Sequence, residues 1–211
     1  TYTGTTSINA GTLRVNGSII SDVTIGPGGT LGGNGTITGT VTNSGTAAPG
    51  NSIGTTNIQG DYIHNPGAVY EVEVNDAGQS DKLAITGTAT ILGGTVKAIP
   101  LEPITHNCVY EILTAGGGVT GTFDTLDTAL LDFTLTYEAN RILMNALRQN
   151  NFPGFAQTRN QGSVARNLES IHDTAAGDMG TIIAQLDGLG SGGQLRAAFE
   201  ALSGEPYANG W

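Results

Sequence analysis

The sequence predicts an all-β solenoid of the parallel β-helix class, followed by a short α-helical segment. Three observations support this prediction. Glycine supplies 33 of the 211 residues while charged residues make up only 12%, which suits many short strands joined by tight turns. Phrases in the first sixty residues recur at an offset of about twenty positions, as they do in stacked coils. Near the C-terminal end the apolar residues change to helical spacing.

Residues 1–60 are predicted to form β-helix coils. The phrase AGTLRVNGSI at 10–19 aligns with GGTLGGNGTI at 28–37, so that Gly11 corresponds to Gly29 at an offset of eighteen. The strand pieces between the glycines are too short for a free-standing sheet. They suit the faces of a solenoid, in which each coil buries its apolar side chains only against its neighbours.

The corners of these coils are expected at glycines. Asn-Gly and Gly-Gly pairs readily supply positive φ, and Gly11 and the pair Asn16-Gly17 are assigned to corners on this basis. Leu13 and Val15 alternate with polar neighbours and are expected to point into the stack. The opening stretch at 1–18 is typical of a late coil of a longer solenoid. We therefore expect the first coil to be frayed or covered by another molecule.

Residues 61–148 are predicted to form a β-rich cap on the coils. The predicted strands are longer here and carry aromatic residues, as in CVYEILTA at 108–115. Alternation is clearest at 132–147, which predicts a β-hairpin with a turn at Ala139-Asn140. The core-facing side chains of this hairpin are expected to be Phe133, Leu135, Tyr137, Ile142 and Met144.

Residues 149–211 are predicted to contain three short amphipathic helices. Their apolar stripes are expected to be Val164, Leu168 and Ile171, then Ile182, Leu186 and Leu189, then Leu195, Phe199 and Leu202. Asp178 is expected to cap the second helix and Gly204 to end the third. Each stripe needs a packing surface, which is another helix, the β-region or a partner.

The charge balance disfavours nucleic acid as a partner. The net charge is −10, and Arg14 is the only lysine or arginine among the first eighty residues, which is the wrong sign for neutralising phosphates. An anionic membrane surface is disfavoured for the same reason. The single cysteine, Cys108, lies in an apolar alternating run and is predicted to be a buried core residue.

Three stretches resemble consecutive parts of bacterial autotransporters, in the family's order. TYTGTTSINAGTLRVNGS, with the glycine-rich coils after it, resembles the passenger-associated transport repeat. NPGAVYEVEVNDAGQSDKLAITGTATILGGTVKAI resembles the autochaperone segment that ends the passenger. QTRNQGSVARNLESI through AAFEALSGEPYANG is similar to the helical linker before the outer-membrane β-barrel. The most specific stretches are APGNSIGT and ALSGEPYA.

The resemblance implies an all-β, right-handed parallel β-helix of three faces, which is a pertactin-like solenoid. It implies last coils at 1–60, a β-rich autochaperone cap at 61–148, and an α-helical linker at 149–211 leading to a barrel absent from this sequence. It also implies type V secretion by a Gram-negative bacterium, with the protein at the cell surface or secreted. The implied partners are its own β-barrel translocator, upstream passenger coils and a host cell-surface protein.

The expected function is that of a non-catalytic C-terminal passenger segment. It would nucleate folding, with residues 61–148 as the nucleus, and support surface display of an adhesin or virulence passenger. The alternative is a passenger region that itself binds a host receptor or matrix component as a secreted virulence factor. An exposed apolar or strongly acidic stripe favours binding, whereas the Thr/Asn-rich faces of this chain favour the scaffold.

A polysaccharide-acting β-helix enzyme is a minor alternative. Such enzymes use clustered Asp residues and a base. Before residue 70 the only acidic residues are Asp22 and Asp61, and the only strong base is Arg14. The protein is therefore expected not to be an enzyme, with no catalytic, cofactor or metal site.

The histidines give no sign of Ser-His-Asp catalysis. It would place His64, His106 or His172 beside a nucleophile on a strained strand-to-helix turn. The spacing G-x-S-x-G occurs in GNSIG at 50–54, but no helix is predicted before residue 149, so the elbow of α/β-hydrolases is not expected there. His172 precedes Asp173 on the first predicted helix and is expected at the surface.

The loop NDAGQSD at 75–81 holds the one candidate cation site. It brings Asp76 and Asp81 into a glycine-containing segment, but without the ligand spacing of an EF-hand. The loop is interpreted as a plain turn, with weak Ca²⁺ binding as the alternative.

Overall fold

The chain forms two compact units, Thr1–Leu147 and Arg148–Trp211. The computed structural model describes residues 4–102, 104, 107–128, 132–147, 152–172, 174–187, 189 and 192–204. The first unit is built of β-strands and the second of α-helices. The finer division of the β-region at residues 60 and 61 stays a prediction.

The strands and helices follow one another with short connections. The strands are β1 (Thr6–Arg14), β2 (Ser18–Ile20), β3 (Val23–Gly33), β4 (Thr36–Thr38), β5 (Val41–Asn43), β6 (Thr46–Pro49), β7 (Thr55–Gln59), β8 (Tyr62–His64), β9 (Val69–Val74), β10 (Lys82–Ile85), β11 (Ala89–Ile91), β12 (Thr95–Pro100), β13 (Cys108–Ala115), β14 (Val119–Gly121), β15 (Thr125–Thr128), β16 (Asp132–Tyr137) and β17 (Arg141–Leu147). The helices are α1 (Phe152–Phe155), α2 (Arg159–Ile171), α3 (Gly177–Asp187) and α4 (Gly192–Ser203).

The parallel strands are stacked in three columns. The first column has the order β2-β4-β7-β10-β13, the second β5-β8-β11-β14, and the third β6-β9-β12-β15. Strand β3 pairs with β5 through its first residues and with β6 through its last, so it connects the second and third columns. The fold of this unit is therefore mostly parallel β-sheet, as a β-helix requires. The right-handed sense of coiling stays a prediction.

The coils lengthen toward the C-terminal end of the stack. In the second column Val23 pairs with Val41 at an offset of 18 residues, and Val41 pairs with Tyr62 at 21. Tyr62 then pairs with Ala89 at 27, and Ala89 pairs with Val119 at 30. The predicted offset of eighteen is confirmed for the first coils. Longer coils enclose larger side chains, and the largest buried ones are Tyr62, Tyr70 and Tyr110.

The two longest strands lie in the first coils, contrary to the expectation that strands lengthen only after residue 60. Strand β3 has 11 residues and β1 has 9, whereas β4 and β5 have 3 each. The reason is that β1 and β3 each continue through a corner and pair on both sides of it. Val15 is buried, while Leu13 is only half-buried against the same core.

The glycine corners are confirmed in part. Gly11 has a φ of +73°, and the pair Gly93-Gly94 has φ values of +131° and +84°. Both Asn-Gly pairs lie at corners, but the expected positive φ is wrong for them, because neither Gly17 nor Gly35 has one. At Gly35 the requirement for glycine is space instead, since a Cβ there would lie 2.3 Å from the carbonyl oxygen of Gly17.

An antiparallel hairpin ends the first column. Strands β16 and β17 pair with each other, and β17 pairs antiparallel with β13. The predicted hairpin is confirmed, with its turn closed by a hydrogen bond from Glu138 N to Arg141 O of 2.9 Å. Phe133, Ile142 and Met144 are buried as expected, while Leu135 and Tyr137 are partly buried against the same core.

The helical unit has its own apolar core. Phe152, Ala165, Leu168, Leu195 and Phe199 are buried in it. The rings of Phe152 and Phe199 pack edge to face, with their centroids 5.7 Å apart. The helices of this unit therefore pack on one another. Of the three packing surfaces considered from the sequence, namely another helix, the β-region or a partner, the first is observed.

One of the two predicted helix ends differs from the structure. Helix α2 begins at Arg159, ahead of the first residue of its predicted apolar stripe, because Thr158 forms a capping box with Gln161. Asp178 lies inside the first turn of α3 rather than at its cap. Gly204 follows α4 with a φ of +77°, as expected for a helix end. Leu202 is 47% exposed, so it does not share the core face of its helix.

Candidate functional site

The core of the β-unit contains buried polar side chains among its aliphatic residues. They are Ser21, Asn43, Thr56, His64 and Asp81. A buried polar group is costly unless it is hydrogen-bonded, so each is a candidate for a role beyond filling space.

His64 is the centre of one buried network. Its Nδ1 lies 2.8 Å from the Tyr62 hydroxyl and 3.3 Å from Nδ2 of Asn43. Its Nε2 lies 3.2 Å from the carbonyl oxygen of Ala68. Asn43 and His64 are register partners in neighbouring coils, and the Phe123 ring packs edge to face on the imidazole at 4.9 Å. The network therefore ties successive coils of the second column together.

The contacts of His64 define its neutral tautomer. Only an N–H can face the Ala68 carbonyl, so Nε2 carries the proton and Nδ1 accepts from the Tyr62 hydroxyl. Burial lowers the pKa of His64 to about 4, against a smaller opposite effect of the Ala68 carbonyl. Both ring nitrogens are engaged inside the core, so this imidazole has a structural role.

Asp81 is the centre of a second site. Its Oδ1 accepts a hydrogen bond of 2.8 Å from Gly54 N, and its Oδ2 accepts one of 3.0 Å from Glu73 N. Burial raises the pKa of Asp81 to about 7, although the two N–H donors act in the opposite direction. The carboxyl group therefore joins the turn before β7 to the third column, and it is 2% exposed. The alternative interpretation as a Ca²⁺ ligand does not fit these backbone contacts.

The turn that meets Asp81 is the stretch APGNSIGT. Gly50 has a φ of +86°, and a Cβ on it would lie 1.9 Å from the carbonyl oxygen of Ser52. A Cβ on Gly54 would lie 2.3 Å from Oδ1 of Asn34. The glycines of this specific stretch are thus required by close packing, at Gly50 within the turn itself and at Gly54 against the neighbouring coil.

Arg14 belongs to the same corner rather than to a catalytic groove. Its Nη1 donates to Gly50 O at 3.2 Å and to Oδ1 of Asn51 at 3.3 Å. The one strong base of the first eighty residues therefore stabilises a turn.

The two early acids cap turns of the adjacent coil. Oδ1 of Asp22 accepts a 2.7 Å hydrogen bond from Thr40 N. Oδ1 of Asp61 accepts one of 2.7 Å from Thr88 N and one of 2.9 Å from the Thr88 hydroxyl. These bonds to Thr88 lower the pKa of Asp61. Each carboxylate is used in coil stacking, which weakens the polysaccharide-enzyme alternative.

Substituting Asp61 tests this capping role. We expect Asp61→Ala to lower the melting temperature, because Thr88 loses an acceptor for two donors. Asp61→Asn keeps an acceptor oxygen and should lose less. Since the folded-state pKa is depressed, the carboxylate's contribution is present above its unfolded pKa and lost as the pH falls through the folded pKa. Thermal unfolding of both variants across the acid range measures this, and equal losses contradict the capping role.

The other histidines and the cysteine are placed as follows. His172 is buried at 8% exposure and packs against the Phe152 ring with centroids 5.9 Å apart. The expectation that it lies at the surface is wrong, because α1 covers that side of the helix end. His106 and Asp173 lie outside the described residues. Cys108 is buried, as predicted, and its Sγ donates to Asp76 O at 3.7 Å.

No metal centre is formed in the part of the chain that the structure describes. There, no three His, Cys, Asp or Glu side chains are grouped to hold an ion. The loop with Asp76 is closed on itself by Asn75 and Gln79, since Gln79 N donates to Oδ1 of Asn75 at 2.9 Å.

The helical unit carries an apolar groove of about 380 Å³. Leu168, Ile182 and Met179 line it, together with the exposed Leu202. The flanking polar groups are Ser163 and Asn167 of α2.

Sequence reasoning missed Asn43, Tyr62 and Tyr70 as members of polar networks. The Tyr70 hydroxyl donates to the Ile112 carbonyl oxygen. The only signal was the alternation in VTN and YIH, which places Asn43 and His64 at inward positions.

The first unit is a mostly parallel β-sheet, consistent with a β-helix, and the sequence is similar to those of known proteins. The chain is 36% identical over 189 residues to an extracellular serine protease of Serratia marcescens. A second extracellular serine protease of that organism is 32% identical over 190 residues. Both alignments cover 82% of this chain and 18% of the relative, so the chain spans less than a fifth of these proteins. No protein-family model matches the chain.

The comparison corrects one expectation. The sequence indicated that the protein is not an enzyme, whereas both relatives are named serine proteases. The error has a simple source. The chain spans only 18% of each relative, so its motifs represent a small part of those proteins.

The relatives are named extracellular, which agrees with the expected export in its general form. Within the described ranges, no helix has both the length and the apolar character needed to cross a membrane.

Proposed function

We propose that the chain is the C-terminal part of an autotransporter passenger, in which it starts and stabilises the folding of an exported protease. The observation that supports this proposal is the closed, strongly packed end of the coil stack at β13, β16 and β17. The similarity to extracellular serine proteases over most of the chain supports the same assignment. The translocator of the parent protein and its upstream coils are the proposed partners. Binding to a host surface and an adhesin or virulence role stay predictions.

The two ends of the stack differ in how much they bury. Tyr110, Ile112 and Leu113 of β13 are fully buried, and so are Ile142 and Met144 of β17. In contrast, of the nine residues of β1 only Ile8 is buried. An end with large buried side chains can fold before the rest of a solenoid, since repeat stability is a sum of local terms.

The opposite end offers a surface for further pairing. Strand β1 pairs with β3 on one side and with no second strand among the described residues. An unpaired edge presents N–H and C=O groups to an incoming strand. Addition of coils one at a time avoids waiting for contacts of long sequence separation.

Two matched isoleucines test where folding begins. Ile142 of β17 and Ile25 of β3 are both completely buried. We expect each change to Ala to cost roughly 2–5 kcal/mol in the free energy of unfolding. Ile142→Ala should slow refolding, whereas Ile25→Ala should mainly speed unfolding, because only the first belongs to the proposed nucleus. Stopped-flow refolding in urea measures both rates.

Native-state hydrogen exchange provides the control. Ile25→Ala should open the amides of β1 and β3 while β10 and β13 keep their protection. The proposal fails if Ile25→Ala slows refolding as much as Ile142→Ala does.

The protease activity of the relatives is proposed for the parent protein. Its full-length form should hydrolyse a protein substrate and be inactivated by a fluorophosphonate, which modifies a serine nucleophile. An active protein that resists this reagent contradicts the assignment. The folding proposal is tested separately by the two isoleucine variants.

A further inference from the structure

Two Asn-Gly pairs occupy equivalent corners one coil apart. Asn16-Gly17 precedes β2, and Asn34-Gly35 precedes β4, with Ser18 paired to Thr36 in the strands that follow. Both asparagine side chains are exposed. In an Asn-Gly pair the glycine nitrogen can attack the side-chain amide carbon, because glycine has no Cβ to hinder the approach. Asparagine is thermolabile for this reason.

The second pair is held away from this reaction. Gly35 is buried, and its N–H donates to Val15 O at 2.7 Å. Its backbone is enclosed, since a Cβ there would lie 2.3 Å from Gly17 O and 2.6 Å from Val15 O. The nitrogen of Gly35 must first break a hydrogen bond and leave a packed site before it can attack Asn34.

The first pair has the opposite surroundings. Gly17 is exposed, and an added Cβ would find open space within 4 Å. Strand β2 is the last strand of its sheet on this side. The described residues supply no hydrogen-bond acceptor to the Gly17 N–H, whereas its carbonyl accepts from Thr36 N at 2.8 Å.

The side-chain carbonyl of Asn16 is also polarised. Its Oδ1 accepts a 2.8 Å hydrogen bond from Nδ2 of Asn51 and a 3.4 Å one from Asn34 N. Donors at a carbonyl oxygen stabilise the negative charge that develops there when a nucleophile adds to the carbon.

We infer that Asn16 is a site of spontaneous modification by its own backbone, and that Asn34 is protected from it. The Gly17 nitrogen forms a bond to Cγ of Asn16, the Cγ–Nδ2 bond breaks, and ammonia leaves with the amide proton. Water then opens the cyclic imide at either carbonyl to give aspartate or isoaspartate. The net change is the gain of one water and the loss of one ammonia, with no oxidation or reduction.

The two products have different structural effects. Aspartate at position 16 keeps acceptor oxygens for Asn51 and for the backbone of Asn34. Isoaspartate inserts an additional carbon into the main chain before Gly17. That insertion displaces the Gly17 carbonyl from Thr36 N and loosens the pairing of β2 with β4.

Incubation of the folded 211-residue chain at mildly alkaline pH tests the inference. An endoproteinase that cleaves before aspartate separates the two sites, because Asp22 lies between them. Mass spectrometry of the two peptides then gives each rate. Asn16 should react about tenfold faster than Asn34, the factor expected when one hydrogen bond must open first. Equal rates, or a faster Asn34, overturn the inference.

Two controls exclude a trivial sequence effect. In denaturant the two sites should react at similar rates, since VNGS and GNGT differ little; a preference for Asn16 that persists there contradicts the structural cause. Gly17→Ala should abolish the reaction at Asn16 without lowering the melting temperature, because its Cβ meets open space. A Gly17→Ala chain that still modifies Asn16 at the original rate also overturns the inference.

Discussion

Gly50→Ala should destabilise the β-unit by roughly 2–5 kcal/mol, as the sum of a left-handed alanine and an overpacked contact. Gly50 has a φ of +86°, and the new methyl would lie 1.9 Å from Ser52 O and 2.7 Å from Oδ1 of Asp81. The turn must then move away from Asp81, which also weakens the bond from Gly54 N to that carboxyl. Urea unfolding followed by circular dichroism measures the change in the free energy of unfolding.

Gly67→Ala is the matched control for this variant. Gly67 has a similar φ of +79°, but nothing lies within 4 Å of the position that its Cβ would take. Its loss should therefore be limited to backbone strain of roughly 1–2 kcal/mol, reduced by the lower entropy of the unfolded alanine chain. Equal losses at the two positions would show that the space around Gly50 does not limit the turn.

The coil repeat could be predicted from the sequence where the coils are short. The offset of eighteen matches the pairing of Val23 with Val41 because nothing is inserted between these strands. The later coils carry inserted turns such as 75–79, and their offsets of 27 and 30 leave no repeated phrase. The hairpin at 132–147 was predicted correctly because its two strands are neighbours in sequence, so a local alternation determines both.

The contacts of the buried polar side chains could not be predicted in the same way. The alternation in VTN and YIH agrees with the inward positions of Asn43 and His64 but was not used to predict them, and their contact depends on a register of 21 residues between coils. The stretch APGNSIGT was identified as specific to the resembled family, but the sequence offered no structural reason for its glycines. The structure supplies the reason in the close approach of Asn34 and Asp81 to that turn. His172 was assigned to the surface because a helical period does not show that α1 covers it.

His64 and Asp81 should influence acid stability in opposite directions. His64 has a folded-state pKa of about 4, below the usual 6.5. The folded chain therefore binds its proton less well than the unfolded chain, and stability falls as the pH drops from about 6.5 to about 4. Protonation of the imidazole would place an N–H on Nδ1, facing the Tyr62 hydroxyl. This hydroxyl already accepts a hydrogen bond from the Asn43 amide, so the protonated form is poorly accommodated. The exposed carboxylate of Asp124 accepts a hydrogen bond from Gly94 N, and Gly94 lies beside the His64 ring.

Asp81 has the reverse linkage. Its folded-state pKa of about 7 lies above the usual 3.8, because burial and the Glu73 carboxylate oppose ionisation more than the N–H donors of Glu73 and Gly54 favour it. The folded chain binds this proton more tightly than the unfolded chain. Stability therefore rises as the pH falls from about 7 to about 4, by at most about 1.4 kcal/mol per pH unit.

The natural chain should consequently show a nearly level free energy of unfolding between pH values of about 4 and 7, and single variants should expose the opposing slopes. His64→Gln leaves Asp81 as the titrating group, so stability should increase on acidification. Asp81→Asn leaves His64, so stability should decrease. Each variant also lowers stability by a constant amount, since the new amides pair imperfectly with Tyr62 and with Gly54, and only the slopes are compared. Urea titrations at several pH values measure the free energy of unfolding of both variants and of the double variant. For the double variant this free energy should not change with pH in this range. Slopes of the same sign in the two single variants would contradict the assignment of opposite linkages.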